Sequence, residues 1–171
     1  MASPLISVVI PAYNHARYIG EALDSVLRQG GVNLEVVVVD DGSTDGTWEY
    51  LASCRDPRLR VLRQDNRGAH YTINRCLSLA QGEYLAILNS DDRFHPQRLS
   101  RLLAASQEHG FGLVVSDIRL IDQQGELITD PGHWWVNWYA ELKDHYRREG
   151  DAARALLGGN FAITTSNFFM H

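Results

Sequence analysis

Short apolar runs alternate with segments of helical periodicity over the first hundred residues of this chain. The runs Leu5–Ile10 and Leu34–Val39 are rich in β-branched residues, which is typical of strands covered on both faces. Between them, apolar residues recur at helical spacing from Ile19 to Leu27. Strands that alternate with helices predict an α/β fold with a central, mostly parallel mixed sheet flanked by helices.

The same patterns predict the other elements. We expect Pro11 to stop the first strand and Pro96 to lie in the first turn of a helix. Further elements are expected as strands at 58–62, 84–88 and 111–116, helices at 47–53, 69–80 and 151–157, a hairpin at 118–129 and a strand-like segment at 164–170.

Four aromatic residues cluster after Asp130, namely Trp134, Trp135, Trp138 and Tyr139. At this spacing a helix would bury Trp135 together with Trp138 or Tyr139 against the sheet. Sugar rings also stack on aromatic faces, so the cluster is equally a hypothesis for a lid over an acceptor. We favour packing, with one tryptophan left for the acceptor.

Composition excludes several classes of protein. The length of 171 residues predicts one domain with a sizeable core. The formal charge of −5 comes from scattered residues without a basic tract, so we expect no nucleic-acid partner. The chain has neither a signal-peptide pattern at its start nor an apolar run near the roughly 20 residues of a membrane span. The expected location is the cytoplasm, with peripheral association at the cytoplasmic face of a membrane as a further possibility.

Two acidic turns follow two of the predicted strands. Asp40–Asp45 comes directly after Val36–Val39, and Asn89–Asp92 comes after Tyr84–Leu88. In an open α/β sheet, ligands bind beyond the carboxyl ends of the strands. Adjacent carboxylates at such a position are costly unless a cation neutralises them. The two turns together therefore predict one polar, metal-assisted site.

Four motifs occur in a familiar order, namely Ile10–Asn14, Val39–Asp45, Asn66–Gly68 and Leu88–Asp92. Together they resemble the nucleotide-sugar half of a family 2 glycosyltransferase with the GT-A (Rossmann-like) fold. The resemblance covers residues 5–120 well and the remainder loosely. It implies an inverting enzyme of the hexosyltransferase type, which transfers a sugar from a nucleotide sugar, expected to be a UDP-sugar, to a carbohydrate or lipid-linked acceptor.

The resemblance also implies roles for the first two motifs. Pro11, Ala12 and Tyr13 would line the nucleoside pocket. Asp40 would accept a hydrogen bond from the imide N–H of a pyrimidine, and Asp41 would support the nucleotide site. On the residues alone, the Asp40–Asp45 turn could equally cap the helix that follows.

By the same resemblance, the other two motifs would provide a metal ligand and a positively charged side chain for the nucleotide. In the family pattern, Asp92 contacts Mn²⁺ or Mg²⁺, which prefer hard oxygen ligands, while Asp91 approaches the ribose or the sugar. Many relatives carry an arginine where this chain has Ile73. Arg67 could contact the nucleotide in its place, or could be a solvated loop residue.

No catalytic base is evident. Inverting members present an acidic residue, often in a Glu-Asp pair, and this sequence contains no such pair. Glu126, Glu141 and Glu149 are acidic but lie in no matching context. We therefore expect residues 1–171 to be a single glycosyltransferase domain truncated at its C-terminus, with 1–120 as the nucleotide-sugar half, 121–171 as the start of the acceptor half, and the base beyond His171.

Two other functions compete with the transferase hypothesis. A phosphoryl-transfer module would need a lysine on a later strand, and Lys143, the only lysine, lies outside the predicted strands. A binding module would hold nucleotide and metal without turnover because its base is missing. Turnover assays would separate that case from the enzyme.

Overall fold

We describe residues 3–150 and 164–171 of the chain from a computed structural model. A six-stranded sheet forms in this part, in the order β3-β2-β1-β4-β6-β5. Its strands are β1 (Leu5–Ala12), β2 (Asn33–Asp40), β3 (Leu59–Arg63), β4 (Tyr84–Ile87), β5 (Leu113–Val114) and β6 (Phe169–Met170). The first four are parallel, whereas β6 runs antiparallel to both β4 and β5. The predicted α/β fold with a mostly parallel mixed sheet is confirmed.

The helices connect the strands as the sequence pattern predicts. They are α1 (Ile19–Leu27), α2 (Thr47–Ser53), α3 (Ala69–Leu79), α4 (Arg98–His109), α5 (Trp134–Glu149) and a 3₁₀ helix at Thr165–Asn167. None of the helices in the described part of the chain combines the length and apolar character that a bilayer span requires.

Apolar side chains on both faces of the sheet form the core. Successive residues of a strand point to opposite faces, so Val8 and Val36 pack with one apolar cluster while Val9 and Val37 pack with the other. All four side chains are fully buried. This two-sided burial explains why β1 and β2 consist of almost unbroken apolar runs.

Both cysteines are free thiols on or beside the helices. Cys76 on α3 belongs to the second apolar cluster, and burial raises the pKa of its thiol to about 12. Cys54 follows α2 and is half-buried.

The first strand is longer than predicted, so the expectation that Pro11 stops it is wrong. Pro11 pairs with Val39, and β1 continues to Ala12. Pairing with β4 on the other side ends at Val9. The missing N–H of Pro11 therefore falls where β1 has no partner to receive a ladder bond, and the strand continues past it.

Three other elements differ from their predicted extents. The helix expected from Pro96 begins at Arg98, after a turn in which the Arg98 N–H donates to His95 O. The strand at 111–116 contracts to two residues at the sheet edge, because it pairs only with the equally short β6. The hairpin at 118–129 is reduced to one antiparallel bridge between Ile121 and Leu127.

The predicted strand at 164–170 is a 3₁₀ turn followed by a strand. The Thr164 hydroxyl accepts the Ser166 N–H at 3.3 Å, which bends the chain before β6 begins at Phe169. The predicted helix at 151–157 lies outside the described residues.

The chain forms two compact units. The first comprises Met1–Val115 with Thr164–His171, and the second comprises Ser116–Ile163. Within the second unit, Tyr139 of α5 is buried and its ring centroid lies 5.1 Å from that of Trp135. Trp134 and Trp138 are exposed. Tyr139 is thus buried among residues of its own unit, and both packing of the cluster against the sheet and the acceptor hypothesis stay predictions.

Candidate nucleotide-sugar site

The carboxyl ends of β2, β1 and β4 lie side by side at one edge of the sheet. Because these strands are parallel and β1 lies between the other two, the turns that follow them meet at that edge. Ala12 at the end of β1 pairs with Asp40 at the end of β2, and its carbonyl accepts the Asp41 N–H at 2.8 Å. The topology therefore brings the two acidic turns to the same edge.

Asn14, just beyond β1, connects its turn to the acidic turn after β2. The Asn14 N–H donates to Ser43 Oγ at 2.9 Å, and its side-chain oxygen accepts the Thr44 N–H at 2.9 Å. Asn14 has a φ of 51°, a left-handed conformation that asparagine tolerates better than most residues. The Asn14 contacts fix the relative positions of the turns after β1 and β2.

His15 connects the same turn to both neighbours. Its N–H donates to Thr47 Oγ1 at 2.9 Å, at the start of α2. On the other side, its Nδ1 lies 2.7 Å from Ser90 Oγ and its Nε2 lies 3.9 Å from an oxygen of Asp91. His15 was not among the residues predicted from the sequence, where its only signal was a polar residue in the turn after β1.

Asp40 is fully buried and only partly hydrogen-bonded. Its Oδ1 accepts the Ser43 N–H at 3.1 Å and lies 3.4 Å from Arg63 Nε. Its Oδ2 is buried and has no hydrogen-bond partner among the described residues. A buried carboxylate oxygen without a donor is costly, so Asp40 Oδ2 is an unsatisfied acceptor in the part of the chain that the structure describes.

A polar depression lies between the turn after β2 and the segment after β3. It has a volume of about 600 Å³ and is lined by Gly42, Arg63, Gln64, Asp65 and Asn66. Gly42 has a φ of 77°, and a Cβ there would lie 2.9 Å from the Asn66 nitrogen. Only glycine therefore allows the turn after β2 to approach the 64–66 segment this closely.

Arg63 forms one wall of the depression. Its guanidinium donates to Ser43 O at 2.8 Å and lies 5.4 Å from the ring centroid of Trp48. These contacts fix a positive charge beside Asp40. The sequence analysis missed Arg63, which lies at the end of β3, the strand next to β2.

Asp41 is committed to internal hydrogen bonds. Its Oδ1 accepts from Gln64 Nε2 at 2.6 Å and from the Arg67 N–H at 2.9 Å, and its Oδ2 accepts the Gly68 N–H at 2.8 Å. Burial raises the pKa of the Asp41 carboxyl, but hydrogen bonds from Gln64, Arg67, Thr72 and Gly68 outweigh it, and the pKa is lowered overall. This geometry suits a supporting role for Asp41 better than direct ligand contact.

Arg67 and Tyr13 lie on the exposed side of these turns. The Arg67 guanidinium lies 3.7 Å from the Tyr71 ring centroid, and Nη1 donates to Tyr71 Oη at 2.7 Å. Tyr13 is 46% exposed just beyond β1, whereas Pro11 and Ala12 lie within the strand. Ile73 packs against the second apolar cluster, a position that an arginine would not share.

The acidic turn after β4 is connected to a segment far along the chain. Asp92 Oδ2 accepts from Ser166 Oγ at 2.6 Å and from Asn89 Nδ2 at 3.2 Å. Asn89 in turn contacts the two threonines before Ser166: its Nδ2 donates to Thr164 Oγ1 and its Oδ1 accepts from Thr165 Oγ1, each at 2.9 Å. The sequence analysis gave this threonine-serine segment no role in the site.

The acidic turn fits a cation that takes most of its ligands from a bound substrate. Asp91 is exposed and Asp92 is half-buried. Within residues 3–150 and 164–171, no group of three or more His, Cys, Asp or Glu side chains gathers to hold a metal. Mg²⁺ and Mn²⁺ sites of the substrate-phosphate kind need only one or two protein carboxylates, so Asp92 alone would be compatible with such a site.

The acidic residues considered as a base lie elsewhere in the chain. Glu126, Glu141 and Glu149 all belong to the second compact unit, Glu126 beside the Ile121–Leu127 bridge and the other two on α5. The site residues described above all belong to the first unit.

Comparisons with known proteins identify relatives of similar sequence and similar fold. The chain is 38% identical over 126 residues to the succinoglycan biosynthesis protein ExoO of Rhizobium meliloti (strain 1021), which is 73% of this chain and 36% of that protein. Its fold is similar to S. aureus TarS 1-349 solved with UDP, with a TM-score of 0.61, 32% identity and coverage of 69% of this chain and 38% of that one.

A second solved relative contains a metal. It is the mannosyltransferase PcManGT from Pyrobaculum calidifontis in complex with GDP-Man and Mn²⁺, with a TM-score of 0.61, 30% identity and coverage of 69% of this chain and 36% of that one. The chain thus spans well under half the length of each of these three proteins, and it shares the GT-A fold of the two solved ones.

The family assignment rests on most of the chain. The model of glycosyl transferase family 2 matches residues 7–166. That stretch begins inside β1 and includes both acidic turns, and it ends at Ser166, which donates to Asp92. Because one family model accounts for this whole stretch, the chain belongs to glycosyl transferase family 2.

Proposed function

We propose that residues 1–120 form the donor half of a metal-dependent, inverting glycosyltransferase of the hexosyltransferase type. The donor would be a UDP-sugar, and the acceptor a carbohydrate or lipid-linked glycan met by a half that begins within 121–171. The enzyme would work in the cytoplasm or at the cytoplasmic face of a membrane. The observation that carries this proposal is the position of Asp40 on one side of β1 and of Asp91 and Asp92 on the other.

Asp40 is proposed to select the base. An ionised carboxylate can only accept hydrogen bonds, so the unpartnered Oδ2 fits the imide N–H of uracil or thymine. Cytosine presents an acceptor at the same ring position and would be disfavoured. The Pro11 and Ala12 backbone and the exposed Tyr13 ring would line the nucleoside, with Asp41 holding the neighbouring loop and Arg67 at the rim as a cation for the nucleotide.

Asp92 is the proposed metal ligand, with Asp91 beside it near the ribose or the sugar. When bound, Mn²⁺ or Mg²⁺ neutralises the charge that develops on the diphosphate leaving group. The chain's own contribution is to orient Asp92 through Asn89 and Ser166 and to keep His15 beside Asp91. These contacts prepare the site before the donor arrives.

A second candidate function is nucleotide and metal binding without turnover. The observation that favours it is that the sequence contains no Glu-Asp pair to supply the acceptor base of an inverting family member. A turnover assay with a UDP-sugar distinguishes the two: release of UDP supports the transferase, and tight binding without release supports the binding module.

Calorimetric titration of the chain with UDP, dTDP, CDP and GDP, each with and without Mn²⁺, tests the donor site. We expect UDP to bind most tightly, and binding to strengthen when Mn²⁺ is present. Asp92→Ala should remove the gain from Mn²⁺. Asp40→Asn should weaken UDP binding by a factor of about ten or more, because its amide presents a donor or a weaker acceptor to the imide N–H.

Asp24→Ala serves as the control, since Asp24 of α1 has an exposed carboxylate that forms an ion pair with Arg28. It should bind UDP and Mn²⁺ as the unchanged chain does. If the chain is folded by circular dichroism and yet binds none of the nucleotides, the proposed function is wrong.

A further inference from the structure

Ser166 connects the acidic turn after β4 to the segment that precedes β6. Its Oγ accepts the Asn89 N–H at 2.7 Å and lies 2.6 Å from Asp92 Oδ2. Seventy-four positions separate Asp92 from Ser166 in the sequence. The contact exists because β6 lies next to β4 in the sheet and delivers the 3₁₀ helix at Thr165–Asn167 to the end of β4.

The direction of the serine proton follows from its neighbours. A serine hydroxyl has one proton to donate and two lone pairs. The Asn89 N–H occupies a lone pair, so the single proton is free to point at Asp92, and the 2.6 Å separation is typical of a hydroxyl that donates to a carboxylate. Ser166 is therefore a directed donor to one oxygen of Asp92.

The two oxygens of Asp92 are thereby made different. Oδ2 receives hydrogen bonds from Ser166 and from the Asn89 side chain, whereas Oδ1 receives none from the described residues. An oxygen that already accepts two hydrogen bonds is a poor ligand for a hard cation, and the other oxygen keeps its lone pairs.

The backbone around Ser166 is itself fixed. Arg98 of α4 donates to the Ser166 carbonyl at 3.1 Å, and Thr164 Oγ1 accepts the Ser166 N–H. Ser166 is 8% exposed and Asn167 is 1% exposed. The hydroxyl therefore belongs to a buried, multiply bonded turn, where a donor can hold its direction.

We propose that Ser166 is a positioning residue that orients the Asp92 carboxylate, so that Oδ1 is the oxygen offered to a divalent cation bound with a nucleoside diphosphate. This inference rests on the proposed function, because it assigns the cation to Asp92. It adds that the segment 164–166, remote in sequence from the acidic turn, belongs to the same site.

The test compares Ser166→Ala with Ser106→Ala in the full 171-residue chain. Ser106 is a matched control, because it is also buried and its hydroxyl also donates one hydrogen bond, to Phe111 O at 2.7 Å. Two quantities are measured for each variant: the affinity for Mn²⁺ in the presence of UDP, by electron paramagnetic resonance of free Mn²⁺, and the affinity for UDP without metal, by calorimetry.

We expect Ser166→Ala to weaken Mn²⁺ binding by about 10- to 100-fold, as is typical when a residue that orients a metal ligand is lost. Its metal-free UDP affinity should stay unchanged, and Ser106→Ala should change neither quantity. Ser166→Thr keeps a hydroxyl and should recover most of the Mn²⁺ affinity. A purely structural role would instead lower both affinities together and would not respond to the returned hydroxyl.

Thr165→Val provides a second route if Ser166→Ala does not fold. It removes the donor to Asn89 Oδ1 and should give a smaller loss of Mn²⁺ affinity, again without loss of metal-free UDP binding. If Asp92→Ala abolishes Mn²⁺ binding while Ser166→Ala and Thr165→Val leave it intact, the inference about Ser166 is wrong and the proposed function stands. If the unchanged chain binds no Mn²⁺ in the presence of UDP, both the inference about Ser166 and the proposed function are wrong.

Discussion

At the scale of single residues, the adjacent carboxylates of Asp40 and Asp41 differ in their hydrogen-bond partners. Asp40 has one buried oxygen without a hydrogen-bond partner among residues 3–150 and 164–171, whereas both oxygens of Asp41 accept hydrogen bonds from residues 64–68. Adjacent residues at the end of a strand point to opposite faces, so the two side chains meet different neighbours. Asp40 therefore keeps an unsatisfied acceptor among the described residues, whereas Asp41 connects the loop before α3 to the end of β2.

Asp41→Asn should lower the free energy of unfolding at pH 7 by about 2 kcal/mol, because an amide cannot accept from all three donors. The pKa of Asp41 is lowered in the folded state, so its contribution is complete above the usual value of 3.8 and is lost as the pH falls through the folded-state pKa. The difference between the variant and the unchanged chain should therefore be largest at neutral pH and shrink in acid. Urea unfolding followed over this pH range measures it.

Asp65→Asn is the control, because Asp65 is exposed in the same segment. It should change stability by less than about 0.5 kcal/mol at any pH. A pH-independent loss in Asp41→Asn would contradict the role given to its charge.

At the scale of elements, the two-residue strand β6 contributes both to the core and to the position of the acidic turn after β4. It separates β4 from β5 and follows the turn that carries Ser166. Phe169 within it is fully buried, and its ring stacks on Tyr84 of β4 with centroids 5.4 Å apart. This two-residue strand thus fixes both a part of the core and the position of the acidic turn.

Phe169→Ala should destabilise the chain by about 3–5 kcal/mol, since a fully buried phenylalanine leaves a cavity when truncated. Phe111→Ala is the matched control, because Phe111 is 54% exposed, and it should cost less than about 0.5 kcal/mol. Chemical denaturation of both variants measures the difference. Equal effects would show that β6 is not packed into the core as described.

At the scale of the whole molecule, the core and the candidate site belong to one compact unit. Among the described residues, Tyr139 is the only buried apolar side chain that lies in the second unit. The first unit is discontinuous in sequence, and the antiparallel pairing of Val114 with Phe169 brings the two parts of its chain together. Its stability should therefore depend little on the residues between them.

Replacing residues 117–162 by a flexible Gly/Ser linker of about eight residues should leave a unit that unfolds cooperatively on heating, because the strands on either side of the replaced segment, β5 and β6, are paired in the sheet. Far-ultraviolet circular dichroism during thermal unfolding measures this. Removal of residues 164–171 from the unchanged chain is the comparison, and it should abolish or greatly lower the transition because it removes Phe169. Loss of cooperative unfolding in the linker variant alone would contradict the expectation.

The order and type of the early elements could be predicted from the sequence because local pattern determines them. Val36–Val39 is apolar without interruption, and α1 repeats its apolar residues at helical spacing, so each segment has one favourable way to bury its side chains. The acidic turns were found for a similar reason, because carboxylates directly after a buried strand have few structural explanations. The strand past Pro11 could not be predicted, because it depends on where β4 stops pairing.

The α/β fold, the family and the charged residues at the strand ends could all be predicted from local sequence pattern and motif. Only the tertiary structure shows which of these carboxylates already accept hydrogen bonds. Both oxygens of Asp41 accept from residues 64–68, one oxygen of Asp40 has no donor among the described residues, and one oxygen of Asp92 accepts from Ser166. The two kinds of information differ in the distance along the sequence over which the underlying interactions act. Periodicity and turn chemistry act over a few residues, whereas a hydrogen bond between residues 74 positions apart exists only once the sheet has brought β6 beside β4.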